Sequence, residues 1–310
     1  MGKATREAYG NALAKIGKMN NQIIVLDADL SKSTKTDTFK KECPERFFNV
    51  GIAEQNLISV GAGLATAGKI PFVSSFAMFA TGRAFEQVRN AICYPNLNVK
   101  ICATHAGITV GEDGATHQSL EDISCMRTLP NMTVIVPADE KETEQVIEWA
   151  AQYNGPVYVR LGRASVDDVS LPDYTFTPGV GSTLVTGQDV TIIACGVLVG
   201  PAVAAAKLLE VEHINATVIN MACIKPIDVN AIVKAAKETG AIVTAEEHNV
   251  IGGLGSAVSE VVVQNTPVPV EFVGVQDIFG ESGTPDALME KYGLTATAIV
   301  EAAKRAIQRK

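Results

Sequence analysis

The sequence predicts an α/β protein of two domains with mostly parallel sheets, and three observations carry the prediction. Short apolar runs alternate with amphipathic stretches of helical length through the first half, a βα rhythm unlike a sandwich or a bundle. The composition is 47% hydrophobic but only 5% aromatic, rich in Gly, Ala and Val, which suits buried parallel strands covered by helices on both sides. A chain of 310 residues is also longer than one small core requires.

The rhythm begins with Thr5 to Met19, an amphipathic helix with Ala8, Leu13 and Ile16 at apolar positions, and the strand Ile23 to Asp27. Phe47 to Val50 is a short second element, followed by a helix around Glu54 to Leu64. Next come the strand Ile70 to Val73, the helix Ala84 to Ile92 and the strand Val99 to Ala103. Thr133 to Val136 and Val157 to Val159 complete the series around the helix Asp139 to Ala151. Between residues 166 and 187, Pro172, Pro178, Gly179 and Gly181 break the pattern, as a linker does. The expected domains are therefore 1–165 and 188–310. The second contains Val190 to Ala194, Ala202 to Leu209, Ala216 to Asn220, Val229 to Thr239, Ala241 to Ala245, a helix after Gly252-Gly253-Leu254-Gly255, and Ala296 to Arg309.

The chemistry concentrates in HAGITVGEDGATH, from His105 to His117, two imidazoles, two adjacent carboxylates and three glycines just beyond a strand. Open α/β sheets place ligands at such positions, although a tight turn with satisfied histidines would read the same. Glu54 stands in NVGIAEQNLISVGAGLA, otherwise mostly Ile, Ala, Leu, Val and Gly. A carboxylate there is neutral, paired or facing a polar ligand, unless it lies on the solvent face with Gln55 and Asn56. Phe76 and Phe79, three apart, share a face if helical, for stacking on a planar ring or on the core. Arg83 and Arg89 flank them and serve solvent, an interface or a carboxylate. Arg160 and Arg163 follow the PVYV strand, as a phosphate clamp or a surface ion pair. GGLG lacks the Lys-Ser/Thr of a phosphate loop and reads as a helix-entry turn, and Glu246, Glu247 and His248 lack a further ligand at zinc spacing.

A formal charge of −8 with no basic stripe argues against nucleic acid, so any anion must be held by individual arginines or helix N-termini. The six cysteines never form CxxC and read as reduced core residues of a cytoplasmic protein. MGKATREAYG reads as a helix start rather than a signal peptide, and no apolar run is long enough to span a bilayer.

FFNVGIAEQNL, the Phe76/Phe79 region and THAGITVGEDGATHQ occur in an order that resembles the C-terminal part of transketolase, a thiamine-diphosphate enzyme, across essentially the whole chain. The resemblance implies a pyrimidine-binding domain followed by the family's C-terminal domain. It makes Glu54 the group facing the pyrimidine N1′, with Phe76 and Phe79 on the ring and Asp29 near the cofactor or channel. Gly82 stands where many relatives have a tyrosine. His105, Asp113 and His117 would line the substrate channel, the histidines moving protons and Asp113 meeting a sugar hydroxyl. Ser33, His117 and Arg163 match positions that bind the sugar phosphate.

Full-length members carry another domain whose GDG-type segment holds the diphosphate through Mg²⁺ or Ca²⁺. Nothing like that segment is found here. The resemblance therefore implies the small subunit of a split transketolase, inactive alone, with diphosphate and metal held by a separate N-terminal subunit in an α2β2 assembly. The implied reaction moves a two-carbon ketol unit from a ketose phosphate to an aldose phosphate. The nearest rivals are the small subunit of a branched-chain or pyruvate dehydrogenase complex and a deoxyxylulose-phosphate synthase fragment. The paired histidines and Arg163 favour a phosphosugar enzyme. A non-catalytic scaffold of this fold would lack the glutamate or the channel histidines, and all are retained.

Overall fold

The structure, a computed structural model, describes residues 2–310. Its strands, in chain order, are β1 (Ile23–Asp27), β2 (Phe47–Asn49), β3 (Ile70–Ser74), β4 (Lys100–Ala103), β5 (Thr133–Ile135), β6 (Val157–Arg160), β7 (Ser182–Val185), β8 (Val190–Ala194), β9 (Ala216–Asn220), β10 (Cys223–Lys225), β11 (Ile242–Asn249) and β12 (Val270–Val275). They form a 7-stranded sheet in the order β10-β5-β6-β4-β3-β1-β2 and a 5-stranded sheet in the order β12-β11-β8-β9-β7. Pairing is parallel except at one edge of each sheet, where β10 runs against β5 and β7 against β9. The expected two α/β domains with mostly parallel sheets are present. β1 and β8 are buried along their whole length, as continuous Val/Ile runs covered on both faces must be.

Three features differ from the sequence reading. The segment 166–187 was expected to be irregular throughout, but Ser182–Val185 forms an edge strand. The part before it is strapped to the first half: Asp139 accepts from Val169 N (2.9 Å), Ser170 N (2.6 Å) and Ser170 Oγ (2.9 Å) while capping the helix Glu140–Gln152. Second, β10 follows the second domain's β9 yet joins the first sheet. Third, the predicted helix Ala84 to Ile92 is a three-residue α-helical segment, Phe85–Gln87, between π-helical turns Met78–Arg83 and Val88–Cys93. Phe76 precedes these turns, bridged to Thr104, and its carbonyl accepts from Phe79 N (3.0 Å) and Ala80 N (2.9 Å), so it sits at the entry of the helical segment that carries Phe79.

Arg160 joins the two sheets. The sequence left it open between a phosphate clamp and a surface ion pair, and the structure buries it. Its Nε donates to Asp122 Oδ2 (2.8 Å), and Nη2 donates to the carbonyls of Glu247 (2.8 Å) and Ser119 (3.3 Å). Nη1 lies 3.6 Å from Glu247 Oε2 on β11. Glu247 Oε1 accepts from Thr109 N at 2.6 Å, inside the histidine-bearing segment. Burial pushes the Glu247 carboxyl up, and Arg160 opposes the shift. Arg160→Met strands two buried carboxylates without their cation. It should therefore lower unfolding stability by about 3–5 kcal/mol in urea titrations. An unchanged midpoint would remove this network from its joining role.

Candidate active site

The candidate residues gather at the C-terminal ends of neighbouring strands β6, β4, β3 and β1, where parallel sheets open towards ligands. At the end of β1, buried Asp27 accepts from Leu30 N (2.6 Å), Thr34 Oγ1 (2.7 Å) and Thr36 Oγ1 (2.9 Å). It thereby shapes the loop carrying Asp29 and Ser33. Asp29 is exposed at φ +66° and is held by Asn49, whose side chain exchanges two 3.1 Å hydrogen bonds with it. The Ser33 carbonyl accepts from Arg6 Nη1 at 3.0 Å.

Beyond β4, His105 is buried with φ +55°, a backbone conformation that is strained for a non-glycine residue. Phe76 stacks on its imidazole with centroids 3.8 Å apart, and Phe79 follows at 5.9 Å from Phe76. His117 sits edge-on to Phe79 at 5.3 Å. His105 Nε2 lies 3.4 Å from Arg6 Nη1. Arginine only donates, so Nε2 accepts and Nδ1–H donates to Thr104 Oγ1 at 2.8 Å. Burial first, then the positive charges of Arg6, Arg163, His117 and Lys35, push the His105 imidazole down to about 3.

Glu54 opens the helix Glu54–Thr66, where a carboxylate complements the helix dipole. It is 2% exposed, and its Oε2 accepts from Arg83 Nη1 at 2.8 Å. Of the open readings for Glu54, burial and pairing is the one realised. Arg83 in turn covers the Phe79 ring at 4.7 Å. Asp113 is exposed at the end of the 3₁₀ turn Ile108–Asp113. Arg163 donates to the Val110 carbonyl and to Glu112 Oε2 (2.9 Å). Gly107 is needed for close approach, because a Cβ there would overlap the Glu247 carboxylate, and Gly111 at φ +83° makes the kink within the turn. A cleft of about 590 Å³ opens beside this group, lined among others by Met78, Phe79, Arg83, Gln118, Asp277 and Phe279.

Arg6 is the residue the sequence reading missed. A basic side chain in the first turn of the helix Thr5–Met19 works against the helix dipole, and that was the available signal. Glu246, Glu247 and His248, short of a further ligand at zinc spacing, are used internally. Glu246 accepts from Leu254 N (2.7 Å) and Gly255 N (2.8 Å), which occupies the helix entry at GGLG with the protein's own carboxylate. His248 Nε2 accepts from Ser124 N (3.3 Å). Among the described residues no group of three or more His, Cys, Asp or Glu is placed to hold a metal ion, and no helix is long and apolar enough to cross a membrane.

Residues 1–168 match the transketolase pyrimidine-binding domain, and residues 179–299 match the transketolase C-terminal domain. The chain belongs to the transketolase family. It is 51% identical to a putative transketolase C-terminal section of Methanocaldococcus jannaschii over 302 residues, covering 96% of this chain and 95% of that one. A 6-deoxy-6-sulfo-D-fructose transketolase subunit of a Clostridium species is 44% identical, covering 98% of this chain and 95% of the relative. Human transketolase is 39% identical over 97% of this chain, which spans only 48% of the human protein. Among solved structures, a split-gene transketolase described as an inactive β4 tetramer superposes with TM-score 0.92 at 57% identity, covering 100% of both chains. Transketolase from Leishmania mexicana superposes with TM-score 0.83 at 26% identity, over 99% of this chain and 46% of that one.

The His105 environment has a pH signature. The unfolded imidazole binds a proton below its ordinary value of 6.5, while the folded one resists protonation to about 3. Stability is therefore fully present above pH 6.5 and falls as pH drops towards 3. A His105→Gln variant should lose that part of the slope in denaturation midpoints taken between pH 7 and 4. An identical slope in both proteins would contradict a neutral buried imidazole.

Proposed function

We propose that this chain is the C-terminal subunit of a split transketolase, moving a two-carbon ketol unit from a ketose phosphate to an aldose phosphate together with a separate N-terminal subunit. The observation that carries the reading is the sunken Glu54 carboxylate, linked through Arg83 to an aromatic stack that ends in neutral His105. The 51% identity to a relative named as a putative transketolase C-terminal section supports the split arrangement. So does the neighbour described as an inactive β4 tetramer.

The residues fit thiamine diphosphate: a buried carboxylate to meet a ring nitrogen, two phenylalanines to pack on a planar ring, and a cleft beside them. When bound, the cofactor supplies the carbanion chemistry that breaks and makes a bond next to a carbonyl. Glu54 holds and moves the proton at the pyrimidine N1′, and Phe76 and Phe79 bind the ring. Asp29, at the loop tip, lies near the cofactor or channel. His105 Nε2 and His117 exchange protons with substrate oxygens. Asp113 accepts from a sugar hydroxyl. Ser33, His117 and Arg163 hold the sugar phosphate, and Arg6, seated between Ser33 and His105, joins them. The diphosphate and its Mg²⁺ or Ca²⁺ fall to the partner subunit, in an α2β2 assembly within the cytoplasm. Residues 1–165 form the pyrimidine-binding domain and 188–310 the C-terminal domain.

Ketol transfer from xylulose 5-phosphate to ribose 5-phosphate, with thiamine diphosphate and Mg²⁺, tests the reading. Activity is expected only when chain and N-terminal subunit are mixed, and Glu54→Gln should lower kcat by about 10²-fold or more. Transfer by the chain alone would overturn the split arrangement. A confirmed, cofactor-loaded complex without transfer would overturn the reaction. Arg6→Gln and Arg163→Gln should each raise KM for phosphorylated sugars by about 10- to 100-fold with a smaller change in kcat, as loss of charge-assisted hydrogen bonds requires. Equal KM values in wild type and both variants would remove these arginines from phosphate binding.

A further inference from the structure

Arg83 occupies two contacts at once that the proposed function gives to a ligand. Its Nη1 donates to Glu54 Oε2 at 2.8 Å, and its guanidinium lies over the Phe79 ring at 4.7 Å. Among the described residues the Glu54 carboxylate makes no other side-chain or backbone hydrogen bond as acceptor. The two ends of the pair differ sharply in exposure: the Glu54 side chain is 2% exposed and that of Arg83 is 50% exposed. The cation thus reaches in from the cleft wall to a sunken anion. Phe79 and Arg83 both line the cleft, and both belong to the π-helical turn Met78–Arg83, a geometry concentrated at functional sites.

A guanidinium is flat, cationic and edged with N–H donors, and it stacks on aromatic faces. An aminopyrimidine protonated at its ring nitrogen has the same four properties. Arg83 therefore presents to Glu54 and Phe79 what the ring itself would present. We propose that Arg83 is an internal occupant of the aminopyrimidine site, pairing with Glu54 in the unloaded chain and swinging out before the ring seats. The inference rests on the thiamine-diphosphate reading and adds to it a competitor built into the chain.

Physical chemistry gives the device a reason. A carboxylate buried without a cation is strongly unfavourable, so Glu54 needs a partner whenever the site is empty. The partner must also be able to leave. Arg160, enclosed by Asp122, Ser119 and Glu247, could not do so, whereas half-exposed Arg83 exchanges its ion pair for water. An internal occupant weakens the apparent affinity for the ligand by the fraction of molecules in which the site is open. A pair closed in about nine molecules of ten weakens it about tenfold.

Equilibrium binding of thiamine diphosphate with Mg²⁺ to the assembled complex, followed by calorimetry rather than by turnover, tests the inference. Arg83→Met removes charge and planarity at similar length, and Arg83→Lys keeps charge without the flat stack. Arg83→Met should bind about tenfold more tightly than wild type, with Arg83→Lys between them. Unchanged or weaker binding by Arg83→Met overturns the inference and makes Arg83 an ordinary member of the binding set. If Arg83→Met does not fold, a crystal structure of the loaded wild-type complex decides: Arg83 displaced from Glu54 supports the inference, and an intact pair refutes it. Failure of every version, wild type included, to bind the cofactor sinks the proposed function itself and this inference with it. Binding by all versions without tightening sinks only the role of Arg83.

Discussion

Arg160 sets the relation between the two sheets, and the site is built on that relation. A guanidinium at this depth is tolerated because carboxylate and carbonyl oxygens surround it, and each of those groups is committed elsewhere as well. Asp122 Oδ2 also accepts from Tyr158 OH at 2.7 Å, and Glu247 also accepts from Thr109 N. One side chain thereby fixes the end of β6, the helix Asp122–Arg127 and the turn Ile108–Asp113. The segment bearing both histidines is consequently tied to β11 of the other sheet. Its glycines follow from the same constraint, since Gly107 lies against the Glu247 carboxylate with no space for a side chain.

Within that frame the local electrostatics run against the chain's overall charge of −8. Arg6, Arg163 and Lys35 place positive charge around His105, and burial together with these cations keeps its imidazole neutral. Acidic side chains at the edge balance the cations in the unloaded chain: Glu112 pairs with Arg163 at 2.9 Å and Glu7 with Lys35 at 3.4 Å. Both are exposed enough for a phosphate to compete with them, as exposed pairs are weak.

Much of this was legible beforehand, and the exceptions have physical causes. The helix Thr5–Met19 and the strands β1, β8 and β9 have the bounds the sequence predicted, because each carries a complete local hydrophobic pattern. β7 and β10 were not seen. They are edge strands of four and three residues, too short to show a period, and their pairing is decided by which strand lies alongside. The π-helical turn Val88–Cys93 falls in the plain helix that the sequence predicts over Ala84 to Ile92, since the i→i+5 hydrogen bond leaves no mark in residue types.

The sequence by itself determined the fold class, the family and the contiguous motif from His105 to His117, because these depend on residues close together in the chain. It also marked Glu54 as an acid in apolar company. Only the tertiary structure decided who partners whom. Arg83 meets Glu54 across 29 positions, Arg6 meets His105 across 99, and Arg160 meets Glu247 across 87. Such contacts arise when parallel strands bring their ends together. Coulomb attraction and burial then select among side chains that no local pattern connects.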